Sequence, residues 1–428
     1  MRTIKVGLIG LGTVGGGVVE IFKNHREDFK RRAGVDIALA AAADRNTARF
    51  EQLGLDPAIC TTDAFAVATD PNLDIVIELI GGTGVAHDIV IAALEAGNVV
   101  VTANKALMAS AGQEVLGLAE AKGLDIRFEA SVGGGIPIIE PLKHSLISNE
   151  ISSVMGIVNG TTNYMLTRMT ENGLDYDTAL KEAQEKGFAE ADPTADVDGF
   201  DAAAKIAILA SIAFNSRVTI DQVYTEGIRS LAPSDIDYAK EIGYTVKLLA
   251  IARRTDEGID IRVHPTMIPS GHPLASVNGV FNAIYVVGDF VGETMFFGEG
   301  AGAGAAASAV MGDVIEAARA IDAGNSVIGC TCVDNLRIRP IDELQDRYYV
   351  RMVVHDKPGV LAATAATFAK HGVSVESLIQ RAPGEADLAE LVYVTHKAGE
   401  ASIRAAFEEI RALDSVIEIA ALIRVEDI

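Results

Sequence analysis

The chain has 428 residues, 49% of them hydrophobic and 22% charged, which at roughly 150 residues per domain means two to four globular domains. Acidic side chains outnumber basic ones 59 to 36, for a net charge of −23, and such a chain repels phosphate backbones and anionic lipid surfaces. There is no Trp and aromatics are only 5%, too few for base-stacking platforms, so neither nucleic acid nor membrane is an expected partner.

The three cysteines, Cys60, Cys330 and Cys332, cannot form a disulfide framework. Cys330 and Cys332 form C-x-C without nearby third and fourth ligands, which argues against zinc. No stretch approaches the roughly 18–20 apolar residues needed to span a bilayer. The N-terminus runs straight into a glycine loop without the apolar core of a signal peptide. The expectation is a cytoplasmic, multidomain protein.

Residues 4–10 read as a short apolar strand, 12–23 as a helix and 35–43 as a second strand followed by Asp44. Strands at 75–79, 98–102 and 126–130, with a helix at 86–96, continue the alternation. That order predicts an α/β Rossmann-type parallel sheet with crossover helices. From about 150 to 305 the pattern changes. A strand at 151–158, helices at 175–187 and 199–213, and strands at 259–267 and 281–290 predict an α+β domain. A helix near 304–322 and an extended piece near 326–338 pack back onto the first domain in this reading. In the tail, strands at 348–355, 373–381, 389–396 and 416–425 alternate with helices ending at 371 and 413, with a turn at Pro383-Gly384. The order βαββαβ is ferredoxin-like. The expected domains are 1–135 with about 305–340, then 136–305, then 347–428.

Gly10-Leu11-Gly12-Thr13-Val14-Gly15 follows a strand and opens a helix. This is the G-x-G-x-x-G arrangement that brings backbone N–H groups against a pyrophosphate. Asp44 suits a ribose 2′-hydroxyl, hence NAD, whereas Arg45 beside it suits a 2′-phosphate, hence NADP. The choice stays open at this point.

The densest chemical signal is 187–205. Asp192-Pro193 is expected to break the preceding helix. Asp201 and Lys205 then share one face of the next helix at i, i+4. That helix continues as Ile206-Ala207-Ile208-Leu209-Ala210, so Lys205 sits beside a buried stretch and needs a partner, which Asp201 can be. A positioned lysine can donate a proton to a developing alkoxide. Glu190 and Asp196 are further carboxylates suited to a substrate ammonium. With a nicotinamide loop upstream, the combination suggests hydride transfer.

These residues resemble the homoserine dehydrogenase family, in its long bacterial form. The run 183–205 matches A-x₃-G-hydrophobic-small, then D-P-x₂-D-hydrophobic-x-G-x-D-x₃-K, at every fixed position. The glycine loop and residues 101–107, 129–137 and 159–164 are similar too, so the likeness covers about 1–310. The tail resembles an ACT regulatory domain through its element order and Asp356-Lys357-Pro358-Gly359-Val360-Leu361.

The resemblance implies NAD(P)-dependent interconversion of L-homoserine and L-aspartate 4-semialdehyde, in threonine, methionine and isoleucine biosynthesis. It implies Lys205 as proton donor with Asp201 beside it, and Lys105 at the junction of nicotinamide and substrate. Glu190, Asp196, Gly160 and Thr161 would contact substrate. Gly187 and Gly302 would lie in loops that close over the cofactor. Glu129, Val132, Gly134 and Ile136 match an alkali-cation site, one carboxylate with backbone carbonyls, fit for Na+. Threonine is the implied effector of the ACT domain, and a homodimer or homotetramer the implied assembly. The chain departs from the family in three places: Ala43 where many relatives carry Arg, Phe188 where Tyr is frequent, and Ala305-Ala306 where Pro-Thr is usual.

In the implied reaction, hydride reaches the carbonyl carbon while Lys205, aided by Lys105, meets the charge growing on oxygen. The oxidative direction needs a neutral lysine and should quicken as pH rises. Two rivals remain at this level: another Rossmann amino-acid dehydrogenase, and a non-catalytic amino-acid sensor on the same fold. The signature weighs against the first, and the presence of Lys205, Asp201 and Glu190 against the second.

Overall fold

The computed structural model describes residues 2–324, 329–382 and 387–426. The expected turn at Pro383-Gly384 and the start of the extended piece near 326 lie outside the described residues. The chain divides into two compact units: Met1–Val154, Ala204–Gln222 and Phe281–Leu336 form one; Met155–Ala203, Val223–Val280 and Arg337–Ile428 form the other.

The first unit is built on strands β1 (Thr3–Ile9), β2 (Asp36–Ala43), β3 (Cys60–Thr61), β4 (Ile75–Glu78), β5 (Val99–Thr102) and β6 (Ile126–Arg127). They pair in the order β3-β2-β1-β4-β5-β6, all parallel. The sequences explain this: β4 and β5 are buried at every position, as strands covered by helices on both faces must be. Helices Thr13–Asp28, Val85–Glu95 and Lys105–Ala121 provide crossovers. Strand order reverses between β1 and β4, and the crevice at their carboxyl ends is where open α/β sheets bind ligands.

The helix Ala303–Ala323 belongs to this unit and packs on Thr13–Asp28. Gly17 makes the approach feasible, since a Cβ there would lie 2.8 Å from the Ala307 Cβ and 2.9 Å from the Ala303 carbonyl. A hairpin of Phe281–Gly288 with Gly292–Glu299 completes the unit.

The second unit holds β7 (Tyr244–Thr255), β8 (Gly258–Pro269), β9 (Gln345–His355), β10 (Val375–Arg381), β11 (Leu388–Thr395) and β12 (Val416–Val425), laid side by side as β7-β8-β12-β9-β11-β10. The last four, with helices Val360–Lys370 and Glu400–Arg411, form the expected ferredoxin-like tail around Tyr348, Met352, Phe368, Leu391 and Phe407. Its sheet does not stand alone. β12 runs parallel to β8 at Thr266 and Met267, and the Glu426 N–H donates to the Met267 carbonyl at 2.9 Å.

Three readings need correction. The first helix runs to Asp28 rather than 23. The helix before the signature stops at Glu185, not at Asp192-Pro193: Gly187 takes a left-handed φ of 75°, and the Phe188 N–H turns back to the Ala183 carbonyl, a glycine stop that acts before the proline can. The strand expected at 126–130 is only Ile126–Arg127, because the Glu129 N–H is taken by the Asp313 carboxylate instead of a ladder.

Candidate active site

In the first unit the loop after β1 is shaped by its glycines. Gly10 has φ 96°, and a Cβ there would meet the Leu79 carbonyl at 2.7 Å. A Cβ at Gly15 would run into the Gly10 carbonyl. Gly12 faces open space and precedes Thr13, the first residue of its helix, with Val14 next. Bare backbone at a helix N-terminus is what a pyrophosphate requires, so the residues present fit a dinucleotide.

Asp44 sits beside this loop. One carboxylate oxygen accepts the Leu11 N–H at 2.6 Å and the other the Asn46 N–H at 2.7 Å. Arg45 is exposed. The guanidinium that reaches the loop belongs to Arg49, which donates to the Leu11 carbonyl at 2.8 Å and the Gly12 carbonyl at 3.2 Å. Sequence reading missed Arg49, because it stands beyond the fingerprint.

Lys105 is exposed and opens the Lys105–Ala121 helix at the carboxyl end of β5. Its placement comes from a buried network that sequence reading also missed. Glu78 ends β4 with no exposure, accepting from Thr102 Oγ1 at 2.7 Å and from the Ile80 N–H at 2.7 Å. Asn104 bonds the Gly82 carbonyl at 2.7 Å and caps the helix through the Leu107 N–H at 3.1 Å. Such a cap fixes the first helical residue, here Lys105.

The expected cation residues lie in the same unit. Glu129 is buried, and its carboxylate already accepts N–H groups of Ile138 (2.5 Å), Ile139 (2.8 Å) and Glu140 (2.7 Å). Burial pushes its pKa up, and those bonds work against that rise. Val132 and Ile136 are buried, and Gly134 has a left-handed φ of 54°. Gly134 meets the Gly300 backbone, where a Cβ would come within 2.6 Å of the Gly300 carbonyl. Gly302, φ 128°, precedes the helix Ala303–Ala323.

The second unit carries the carboxylates. Asn159 caps the helix Gly160–Asn172 by accepting the Thr162 N–H at 2.9 Å. Its amide nitrogen donates to Asp196 at 2.7 Å and to Asp201 at 2.9 Å. One asparagine thus gathers two acids separated in sequence. Asp201 is buried on the helix Phe200–Ala213, and Lys205, also buried, follows one turn later on that helix. The division between units falls within it, after Ala203. Thr161 Oγ1 donates to the Phe188 carbonyl at 2.6 Å, so its hydroxyl ties down the loop after Gly187. Phe188 packs against Tyr164 with the rings tilted 60° and their centroids 4.9 Å apart. Gly160 is a close-approach site, since a Cβ would lie 2.7 Å from the Val280 carbonyl. Glu190 is exposed, and its carbonyl accepts Gln184 Nε2 at 3.1 Å. Among the described residues no group of three or more His, Cys, Asp or Glu side chains is placed to hold a metal, and no helix is long and apolar enough to cross a membrane.

Comparison with known proteins agrees with this arrangement. The family described as "Homoserine dehydrogenase, NAD binding domain" matches residues 10–129, "Homoserine dehydrogenase" matches 137–315, and "ACT domain" matches 348–415. The chain is 46% identical to the homoserine dehydrogenase of Synechocystis over 434 aligned residues, covering 99% of each. It is 41% identical to that of Bacillus subtilis, covering 100% of this chain and 99% of the other. A crystal structure of a homoserine dehydrogenase from Thiobacillus denitrificans superposes with a TM-score of 0.95 at 42% identity, covering 100% of this chain and 99% of that one. A hyperthermophilic archaeal homoserine dehydrogenase in complex with NADPH matches 74% of this chain and 98% of its own, with a TM-score of 0.64 at 28% identity.

Proposed function

Because the chain belongs to the homoserine dehydrogenase family, an NAD(P)-dependent group of oxidoreductases with an ACT domain here, we propose residue roles for the interconversion of L-homoserine and L-aspartate 4-semialdehyde. The observation that carries them is the buried Lys205 one helical turn from Asp201, with Asn159 bonding both Asp201 and Asp196. When bound, the nicotinamide supplies or takes the hydride. Lys205 meets the charge that develops on the substrate oxygen and passes the proton there. Asp201 orients that lysine, and Lys105 adds positive charge. Glu190 and Asp196 receive the substrate ammonium, and Gly160 and Thr161 shape the floor beneath it. Asn159 is a positioning residue. In the oxidative direction Lys205 accepts the proton of the substrate hydroxyl.

Gly10, Gly12, Thr13, Val14 and Gly15 hold the pyrophosphate, with Gly187 and Gly302 in the loops that cover it. On the ribose we favour NAD over NADP. The Asp44 carboxylate is fixed at the loop by the Leu11 N–H, an anion where a 2′-phosphate would come, while Ala43 offers no cation. Arg45, exposed, leaves NADP as a slower substrate. A Na+ ion at Glu129, Val132, Gly134 and Ile136 would rest on main-chain carbonyls, since the Glu129 carboxylate already takes three N–H bonds. We assign threonine to the ACT domain as effector, a homodimer or homotetramer as the working form, and the cytoplasm as its place. The domain division we favour is 1–135 with about 305–340, then 136–305, then 347–428.

The test is absorbance at the reduced-nicotinamide band with purified protein, L-homoserine and either cofactor at alkaline pH. Reduction that needs homoserine, with kcat/KM for NAD at least about tenfold above NADP, is expected. An advantage for NADP would assign the ribose pocket to Arg45 instead. Threonine should bind the full chain and slow homoserine oxidation; full-chain activity that threonine leaves unchanged would remove the effector assignment.

A further inference from the structure

Cys330 and Cys332 take no part in the chemistry above, yet they line a small cavity within the first unit. Its apolar wall includes Met108, Phe128 and Ile208, and two cations, Arg217 and Lys143, also face it. Arg217 Nη2 donates to the Cys330 sulfur at 3.6 Å, and its Nε is buried without a hydrogen-bond partner. Among the described residues no carboxylate is recorded as a hydrogen-bond or ion-pair partner of Arg217. A half-buried guanidinium calls for an anion, and the sulfur of Cys330 is placed to be that anion. The Cys332 thiol, two residues on and lining the same cavity, donates to the Ser211 carbonyl at 3.5 Å. The neighbouring Cys332, its backbone N–H included, and then the nearby charges of Arg217 and Lys143 lower the Cys330 thiol, against the burial that raises it. Cys332 is pushed the other way, first by its neighbour Cys330 and then by burial. Cys60 is a built-in control. It is half-buried like the other two, but it donates to the Asp56 carbonyl at 3.2 Å, and burial followed by the Asp56 charge raises its thiol.

The geometry points to Cys330 as a nucleophilic modification site that takes hydroperoxides, with Cys332 as its resolving thiol. The Cys330 thiolate attacks the peroxide oxygen and the O–O bond breaks. Sulfur is oxidised to a sulfenic acid, and the other oxygen leaves as an alcohol or, from hydrogen peroxide, as water, after taking a proton from solvent. The Cys332 thiol then attacks the sulfenic sulfur. An S–S bond forms, and the sulfenic oxygen departs as water with the Cys332 proton.

Two readouts on the full chain test this, both by peptide mass spectrometry. With iodoacetamide at pH 7, Cys330 should be alkylated at least tenfold faster than Cys60. With equimolar hydrogen peroxide, the peptide holding both cysteines should lose two mass units. In Cys332→Ser, oxidation should stop at a sulfenic acid on Cys330 that dimedone traps. Arg217→Gln should slow both reactions. Equal alkylation of Cys60 and Cys330 in the unmodified sequence, or peroxide leaving both thiols free, would overturn the assignment without any variant having to fold.

Discussion

The two sheets of this molecule are held together by different forces. In the first unit, β4 and β5 bury Ile75, Val76, Ile77, Val99, Val100 and Val101, and the buried charge on these two strands, Glu78, waits at the strand end beside the ligand crevice. In the second unit, charge lies in mid-strand. Arg262 on β8 is 1% exposed and donates to Glu426 at 2.6 Å and Asp346 at 3.2 Å. Arg424 on β12, with no exposure, bonds Glu400 at 2.7 Å and Glu226 at 3.0 Å. Arg351 on β9 clasps Asp235, its Nε at 2.6 Å. Most of these pairs join the ACT strands to the catalytic part of the same unit. Where burial alone holds a sheet, any apolar residue of the right size serves. Where paired charges hold it, each partner specifies the other, and losing one strands its mate in a dry interior.

That contrast can be broken by substitution. Arg262→Ala should cost the most, about 3–5 kcal/mol by urea denaturation, because Glu426 and Asp346 would face each other without their cation. A loss under about 1 kcal/mol would mean that the charges are solvated and the contrast is false.

Lys247 on β7 is next. It is 2% exposed and donates to the Val277 carbonyl at 2.5 Å, Asn278 at 3.0 Å and Asn163 at 3.2 Å. Desolvation brings its pKa down to about 8. The native state then sheds this proton before the unfolded chain does. The Lys247 contribution to stability should therefore rise as pH climbs from about 8 towards the ordinary lysine range, by about 3 kcal/mol in all. The difference between the unmodified sequence and Lys247→Met, followed across that range, reads it directly, and a flat difference would refute it. The smallest effect belongs to the first unit. Gly17→Ala pushes a methyl against Ala307 and the Ala303 carbonyl and should cost about 1–3 kcal/mol. That cost should not vary between pH 6 and 9, because no titrating pair is involved.

The same contrast explains what the sequence could say. The parallel sheet was legible because β1, β4 and β5 are short apolar runs with a glycine loop after the first, and a hydrophobic run needs no distant partner to be recognised. The ferredoxin-like tail was legible from its alternation. Asp201 and Lys205 were legible because an i, i+4 pair lies within one helix. Asn159 was not singled out, since its two acids are 37 and 42 residues away. Arg262 and Glu426 are 164 apart, and no local pattern announces such a pair. The helices Lys105–Ala121 and Gly160–Asn172 and the strand Tyr244–Thr255 also escaped. The first two open on Asn caps that read as loop, and the strand breaks its alternation with a run buried from Val246 to Ala252. Asn159→Ala tests the value of the missed residue. Freed from their shared donor, Asp196 and Asp201 should drift, lowering kcat roughly tenfold to a hundredfold and raising KM for homoserine, with KM for the cofactor unchanged.

The central claim is that Lys205 handles the proton, and Lys205→Ala tests it most directly. Homoserine oxidation by this variant should be at least about 100-fold slower than that of the unmodified chain, with cofactor affinity by equilibrium binding little changed. Turnover within threefold, in a variant that still binds the cofactor, would contradict the account and place the proton elsewhere.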